Sequence, residues 1–528
     1  MKKLISLLLL LIVVLSAQAR KIYVSNTGND TRTLTQAQSI STPWATLSKV
    51  QSSLSSLTSG DSILFQRGGR YSGTLNMYGK TNIYFGTYGT GQKPIFWGTG
   101  AVINSLVTLT TCTNIRFDGW NISDTTISFT DRTVQAKIKI VFTLQTSTIG
   151  TLIRDITMDR VGYGVYITST SRGQTIESCD IGNLRMIRNT PKTTNPDDDY
   201  GGVPIQISSR NNNIIRNYFH DCWSVSFDYG YDGGGIEFFE EGDTISGNTI
   251  MYNTFYDNNG TLEHGSNSDG IARFPIQNNT FAYNKVINCS SLFYYNNNGQ
   301  YKTKLRNLMI YNNVIVQTVI SRTGSTRMIS MPVADTTYNI STLKNNIFKI
   351  SNGASVARST VFTGTQLLHT NNVYQLTNGS VTNYLLTPTE ISTLAVIWVN
   401  TISTNPLNWD YRLASTSPAI LRGVNVGIQR DFANMIVSNP PEIGIYEYIP
   451  PVVKTAGNTI VETLVYNSTQ SSLYVNSNIH GIIRIVNTLG RISLTCPYKS
   501  GDNWVNIKSL PPGIYFATIY TRSIGFIK

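Results

Sequence analysis

One short phrase recurs along the middle of the chain, and it constrains the fold more than any other feature. Apolar and polar residues alternate, an Asn or Asp follows, and the chain turns. Instances are Asn114-Ile115-Arg116-Phe117-Asp118, Ile153-Arg154-Asp155-Ile156, Ile176-Glu177-Ser178-Cys179-Asp180-Ile181 and Ile214-Ile215-Arg216-Asn217-Tyr218-Phe219. The phrase returns at Ile250-Met251-Tyr252-Asn253-Thr254-Phe255, Phe281-Ala282-Tyr283-Asn284-Lys285-Val286, Ile310-Tyr311-Asn312-Asn313-Val314 and Leu343-Lys344-Asn345-Asn346-Ile347-Phe348. Asn217, Asn253, Asn284, Asn313 and Asn346 stand 36, 31, 29 and 33 residues apart. A period of roughly 20–50 residues marks a solenoid, a propeller or an array. The strands are too short and the spacing too irregular for propeller blades, and no repeat carries a helical period. Stacked short strands with Asn at one turn predict a parallel β-helix, with equivalent Asn side chains hydrogen-bonded in a ladder. Cys222, Asn258 and Cys289 each follow a ladder Asn by five residues. Two rare thiols in one slot predict an inward stack of small side chains.

The ends of the repeat read differently. Thr42-Pro43-Trp44 is expected to open a helix over about residues 43–57, with Thr42 as cap and Pro43 at the first helical position. Leu47, Val50, Leu54 and Leu57 give that helix an apolar face, suited to covering the first open edge of a solenoid. Lys2 and Lys3, the apolar run Leu4 to Leu15 and the small residues of Ala17-Gln18-Ala19 predict a signal peptide over residues 1–19. The run is shorter than the ~20 residues a membrane span needs, and no later stretch is long enough. The five cysteines include no CxxC pair and are odd in number, which argues against zinc and against a disulfide framework. No GxSxG, phosphate loop, dinucleotide fingerprint or HExxH is present, so nucleotide and zinc chemistry have no support.

Two segments carry resemblances. The opening Ile22-Tyr23-Val24-Ser25-Asn26-Thr27-Gly28-Asn29-Asp30, then Pro43-Trp44-Ala45-Thr46-Leu47, Gly60-Asp61 and Arg67-Gly68-Gly69, resembles right-handed parallel β-helix proteins found among secreted polysaccharide lyases and hydrolases. The exit Trp409-Asp410-Tyr411-Arg412-Leu413, with Ser417-Pro418-Ala419 and Pro441-Glu442-Ile443-Gly444-Ile445-Tyr446-Glu447-Tyr448, does so too. This resemblance covers roughly residues 20–448. It is specific for fold, and it implies an extracellular enzyme on a polysaccharide without naming the reaction. After a linker at 449–456, residues 457–528 change character. Asn487-Thr488-Leu489-Gly490-Arg491, Leu510-Pro511-Pro512-Gly513-Ile514-Tyr515-Phe516 and the terminal Gly525-Phe526-Ile527-Lys528 resemble the sorting domain of the type IX secretion system. That implies a small β-sandwich, the secretion machinery as a partner and passage across an outer membrane. The whole is then an all-β chain: helix-capped solenoid, linker and sandwich, expected to act as a monomer.

Charge narrows the search for a site. Charged residues are 14% of the chain, well below the ~25% of ordinary soluble domains, and the net charge is +12. A basic balance outside the cell favours a polyanion such as an acidic polysaccharide. No Lys/Arg cluster or recognition helix favours nucleic acid. Yet residues 195–270 hold thirteen acids against Arg210 and Arg216, so this window is −11 and the remainder +23. Stacking the coils puts Gln206, Glu237, Glu263 and Phe293 in one outward row, which makes Glu237 and Glu263 neighbours about 4.8 Å apart on adjacent rungs. Carboxylates that close suit a glycosidase. A lyase would use such acids to hold Ca²⁺ against a substrate carboxylate, with Asp228, Asp232 and Glu240 as the metal set. His264 and Arg273 are the candidate catalytic partners of Glu237 and Glu263, and Arg216, His220 and Tyr294 the candidate substrate-binding groups. Without a lyase mechanism no cofactor is expected. The rival to an enzyme is a non-catalytic adhesin or glycan-binding solenoid, whose acids and aromatics only hold glycan.

Overall fold

Strands of three to five residues cannot build a sheet alone, but stacked coil on coil they complete one another's hydrogen bonds. A computed structural model describes residues 19–449 except 268–269, 296–301, 321, 323–326, 331–339, 352, 359–365 and 380–384, and residues 462–528 except 468–470, 478–479, 488–491 and 520–522. Most of the expected signal peptide and linker, and the Thr488–Arg491 turn, therefore lie outside the described residues. The chain divides after Tyr448 into two compact units. The first is a right-handed parallel β-helix of three long parallel sheets, with twelve, twelve and ten described strands.

Each coil runs from the first sheet through a tight turn to the second sheet, then to the third and back. The first turn explains the asparagines. Arg216, Tyr252, Tyr283, Asn312, Asn345 and Asn371 adopt positive φ between 52° and 61°, and the next residue points inward. Asn217, Asn253, Asn284, Asn313, Asn346 and Asn372 are those inward residues, all buried. Each ladder Asn donates its backbone N–H and its Nδ2 to Oδ1 of the next; Asn217 to Asn253 spans 2.9 and 3.0 Å. Nδ2 also satisfies a carbonyl of the coil before, as from Asn253 to Ile214 O at 2.8 Å. A second ladder, Asn212–Asn248–Asn279, lines the return to the first sheet. Cys222, Asn258 and Cys289 share one slot and are buried, and Cys222 N–H donates to Asn258 Oδ1.

The cap differs in detail from expectation. The helix, α1, spans Leu47–Ser53 and is capped by Thr46, whose side chain accepts from Lys49 N–H. It starts later than predicted because Trp44 extends the sheet instead: its N–H donates to Tyr23 O and its O accepts from Ser25 N–H. Asp30 Oδ1 accepts from Ala45 and Thr46 N–H ahead of α1. Leu47, Val50, Leu54 and Leu57 are buried in the main core, as their spacing predicts.

Residues 393–448 run back along the outside of the second sheet. Ile397, Trp398, Tyr411, Leu413, Ile443 and Ile445 cover Ile287, Val314, Val316, Ile347 and Val373 there, making a second core. Strands buried on both faces lose the apolar–polar alternation, and Val314–Gln317 is buried at every position. Lys285 shares a row with Val314, and its ammonium is enclosed by the Tyr411, Phe432 and Tyr446 rings at 4.5–5.6 Å. Burial lowers its pKa to about 8. The second unit is antiparallel, with three- and four-stranded sheets around its own core of Leu473, Val475, Ile483, Ile485 and neighbours.

Candidate active site

The third sheet positions the site. Its strands Ile205–Ile207, Ile236–Glu240, Leu262–Ser266 and Phe293–Tyr295 pair in register, placing Gln206, Glu237, Glu263 and Tyr294 in one row. The fourth member is therefore Tyr294; Phe293 pairs with Leu262 and is buried in the core. Alternation turns Glu237 and Glu263 outward, on adjacent rungs, because Ile236, Phe238, Leu262 and His264 fill the inside. Gly265 leaves room beside them: a Cβ there would lie 3.3 Å from Glu237 Oε1 and 3.4 Å from the Phe239 ring.

Two excursions wall the row. The Ser224–Ser226 and Gly230–Asp232 strands form a hairpin, and residues 189–203 fold against it. Asp199 fastens them, accepting from Thr190 N–H at 2.7 Å, Ser226 Oγ at 2.7 Å and Asp228 N–H at 3.1 Å. The result is a cleft of about 610 Å³ over Glu237 and Glu263, with Asp232, Tyr163, Tyr229, Tyr231, Tyr294 and Phe239 among its lining. Gly235 lets the wall come close, since a Cβ there would lie 2.4 Å from Thr261 O.

Burial makes these acids unusual. It pushes the Glu237 carboxyl well above its ordinary range, and the charges of Glu263, Asp232 and Glu241 push the same way. Burial, then Asp232, raises Glu263 to about 7. Asp232, which accepts from Gly233 N–H at 2.7 Å, is raised to about 6 by burial and Asp199. Tyr163 is pushed up by burial and by the charges of Glu237 and Asp232. Three neighbouring carboxyls of unequal acidity can divide the roles of proton donor and anion.

The other predicted residues lie elsewhere. His264 points inward beside Phe238 and Phe293, fully buried, and burial lowers its pKa to about 4. It is a neutral core residue because it is the immediate neighbour of outward Glu263. Glu240 also points inward and accepts from Arg273 N–H at 3.2 Å and Phe274 N–H at 3.0 Å. Arg273 is exposed and outside the cleft lining. Arg216 sits at the turn between the first and second sheets, its guanidinium over the Tyr252 ring at 4.8 Å. His220 is on the second sheet, held between Asp180 and Asp221 at 2.9 Å each. Those two carboxylates overcome the opposing effect of burial and raise its pKa to about 9.

The expected metal set does not assemble either, because Asp228, Asp232 and Glu240 face three different environments. Among the described residues one carboxylate group, Asp198, Asp199 and Asp228, brings its oxygens within 4.8 Å of one another. Asp228 Oδ2 already accepts from Asp198 and Asp199 N–H, and Asp198 is paired with Arg188. These carboxylates fasten the hairpin, and Asp228 Oδ1 is buried without a hydrogen-bond partner. Sequence reading missed Tyr163 and Tyr200 as cleft walls: Tyr163 comes from a coil before the acidic window, and Tyr200, inside that window, from the loop that Asp199 ties to the hairpin.

A family described as the right-handed β-helix region matches residues 140–329. No curated protein matches the chain. Among solved structures, the native GH136 lacto-N-biosidase from Eubacterium ramulus is similar at 12% identity, covering 71% of this chain and 67% of that one, with a TM-score of 0.40. A rhamnogalacturonan lyase is similar at 14% identity, covering 67% and 87%, with a TM-score of 0.41. A PL6 family alginate lyase is similar at 12% identity, covering 83% and 60%, with a TM-score of 0.39.

Proposed function

We propose that the protein is a glycoside hydrolase that cuts a polysaccharide lying in the cleft over Glu237 and Glu263. One observation carries this reading: two glutamates in register on adjacent rungs of an exposed sheet, half sealed from water, with Asp232 beside them. Glu237 is held protonated by burial and by its neighbours, so it serves as the general acid on the glycosidic oxygen. Glu263 ionises more readily and serves as the partner carboxylate at the anomeric carbon. A rung spacing of ~4.8 Å is near the ~5–5.5 Å of retaining enzymes. Tyr294, Tyr231 and Phe239 offer ring faces for stacking on sugars.

Hydrolysis is favoured over β-elimination by the lining itself. Among the described residues lining the cleft there is no Lys, Arg or His to neutralise a substrate carboxylate. The test is a glycan panel read for new reducing ends and for the near-ultraviolet absorbance of an unsaturated sugar. Reducing ends alone are expected, and Glu237→Gln and Glu263→Gln should each lower kcat by about 10²–10⁴-fold. Unsaturated products would replace this reading with a lyase. Binding without any product would leave a glycan-binding solenoid.

The same reading takes residues 1–19 as an export signal and 457–528 as a type IX sorting domain, so that the enzyme works outside the cell. Deleting 457–528 in a host with that machinery should hold the enzyme in the periplasm, which fractionation would detect.

A further inference from the structure

We infer that the sugar held over Glu237 and Glu263 carries no carboxylate or sulfate: the substrate is a neutral polysaccharide. This rests on the placement of substrate in the cleft proposed above. The net charge of +12 points toward a polyanion, but it is not the charge a substrate meets. The cleft is lined by Asp197, Asp199, Asp232, Glu237 and Glu263 and, among the described residues, by no Lys, Arg or His. Between residues 19 and 449 the Lys, Arg or His whose side chains lie outside the described ones are Arg327 and Arg358, on the two rungs beyond Tyr294.

Among the described side chains the nearest bases are committed or distant. Arg188 pairs with Asp198, and Lys192 Nζ donates to Asp228 O at 3.1 Å. Lys302 approaches the rim through its backbone, donating N–H to Ser266 Oγ at 3.1 Å, and is not part of the lining. Along the floor row Glu263, Tyr294, Ser330 and Arg358 follow one another, so the Arg358 backbone stands three rungs, about 14 Å, from that of Glu263. A uronate carboxylate about 5 Å from one ionised floor carboxylate would bind on the order of 10²-fold more weakly than a neutral hydroxymethyl. A cation bridging the two could reverse that, but the carboxylate group that gathers in this region lies in the hairpin clamp, where Asp228 Oδ2 accepts from two backbone N–H groups, Asp199 accepts from three donors and Asp198 pairs with Arg188, leaving Asp228 Oδ1 without a hydrogen bond. A protonated Glu237 and the tyrosine hydroxyls suit sugar hydroxyls as hydrogen-bond partners.

The test uses paired polymers that differ only in charge: polygalacturonate and its carboxyl-reduced form, and alginate and its carboxyl-reduced form, each with Ca²⁺ and with EDTA. Full-length wild type is assayed for cleavage and Glu237→Gln for binding by affinity electrophoresis. At least one carboxyl-reduced polymer should bind tenfold or more tightly than its parent, unchanged by EDTA. Equal or tighter binding of the uronate parent, recovery of uronate binding by Ca²⁺, or binding of no polymer would overturn the inference. Preferential binding of a reduced polymer with no cleavage would keep it while removing the hydrolase reading.

Discussion

Asp232, Glu237 and Glu263 share one partly dehydrated cleft, and each charge makes the next ionisation harder. Their titrations belong to the group, so the pH–rate profile reports shared values. The ascending limb of kcat/KM is expected near pH 7, where Glu263 ionises, and the descending limb above it, where Glu237 loses its proton. Asp232→Asn removes a charge that raises both, so both limbs should move toward acid by roughly 0.5–1 pH unit. A profile that keeps its position would exclude Asp232 from the group. His264 gives the opposite linkage. Its folded pKa, about 4, is below the ordinary 6.5, so the native state binds a proton less readily than the unfolded chain. It therefore destabilises increasingly as pH falls from about 6.5 through 4. His264→Phe should stabilise at pH 5 by roughly 2 kcal/mol more than at pH 8, measured by urea unfolding, and should leave turnover within about twofold. Loss of turnover in a folded variant would restore a catalytic role to this histidine.

The Asn ladder shows at the scale of the element why the solenoid was legible in sequence. A turn that needs positive φ followed by an inward amide leaves a fixed mark on every coil. Asn253 answers Asn217 N–H, Asn217 Nδ2–H and Ile214 O at once. Asn253→Ala strips three buried groups of their partners and should cost about 3 kcal/mol or more, read as a lower urea midpoint with an unchanged m-value. Register was legible for Glu237 and Glu263 for the same reason, since a two-residue period fixes which side chains face out. The same period places His264 and Glu240 inside, and a candidate list drawn from residue type alone overlooked it. Tyr294 rather than Phe293 completes the row because turn lengths vary from coil to coil, and sequence spacing does not say where an extra residue is absorbed. The cleft walls were hidden for a further reason. Asp199 ties a loop to a hairpin about thirty residues on, and nothing periodic marks such a pairing.

At the scale of the molecule, apolar side chains settle what the solenoid can do without. Residues 462–528 have their own core of Leu473, Val475, Ile483, Ile485, Tyr515 and Phe526, separate from both cores of residues 19–448. Residues 393–448 are different in kind. They cover Val314, Val316, Ile347 and Val373, which form an apolar stripe on the outer face of the second sheet. Sequence shows this stripe only as strands without alternation, and it does not show which segment returns to cover them. Two truncations separate the roles. A chain ending at Tyr448 keeps both solenoid cores, so its kcat/KM should stay within about twofold and its thermal midpoint within about 2 °C of the solenoid transition in the full chain. A chain ending at Val396 exposes the stripe together with the open edges beneath it. It should aggregate or elute as higher oligomers in size-exclusion chromatography. A monomeric, active protein ending at Val396 would show that the return segment is dispensable. The stability of the second sheet would then have to come from the Asn ladder and the inner core alone.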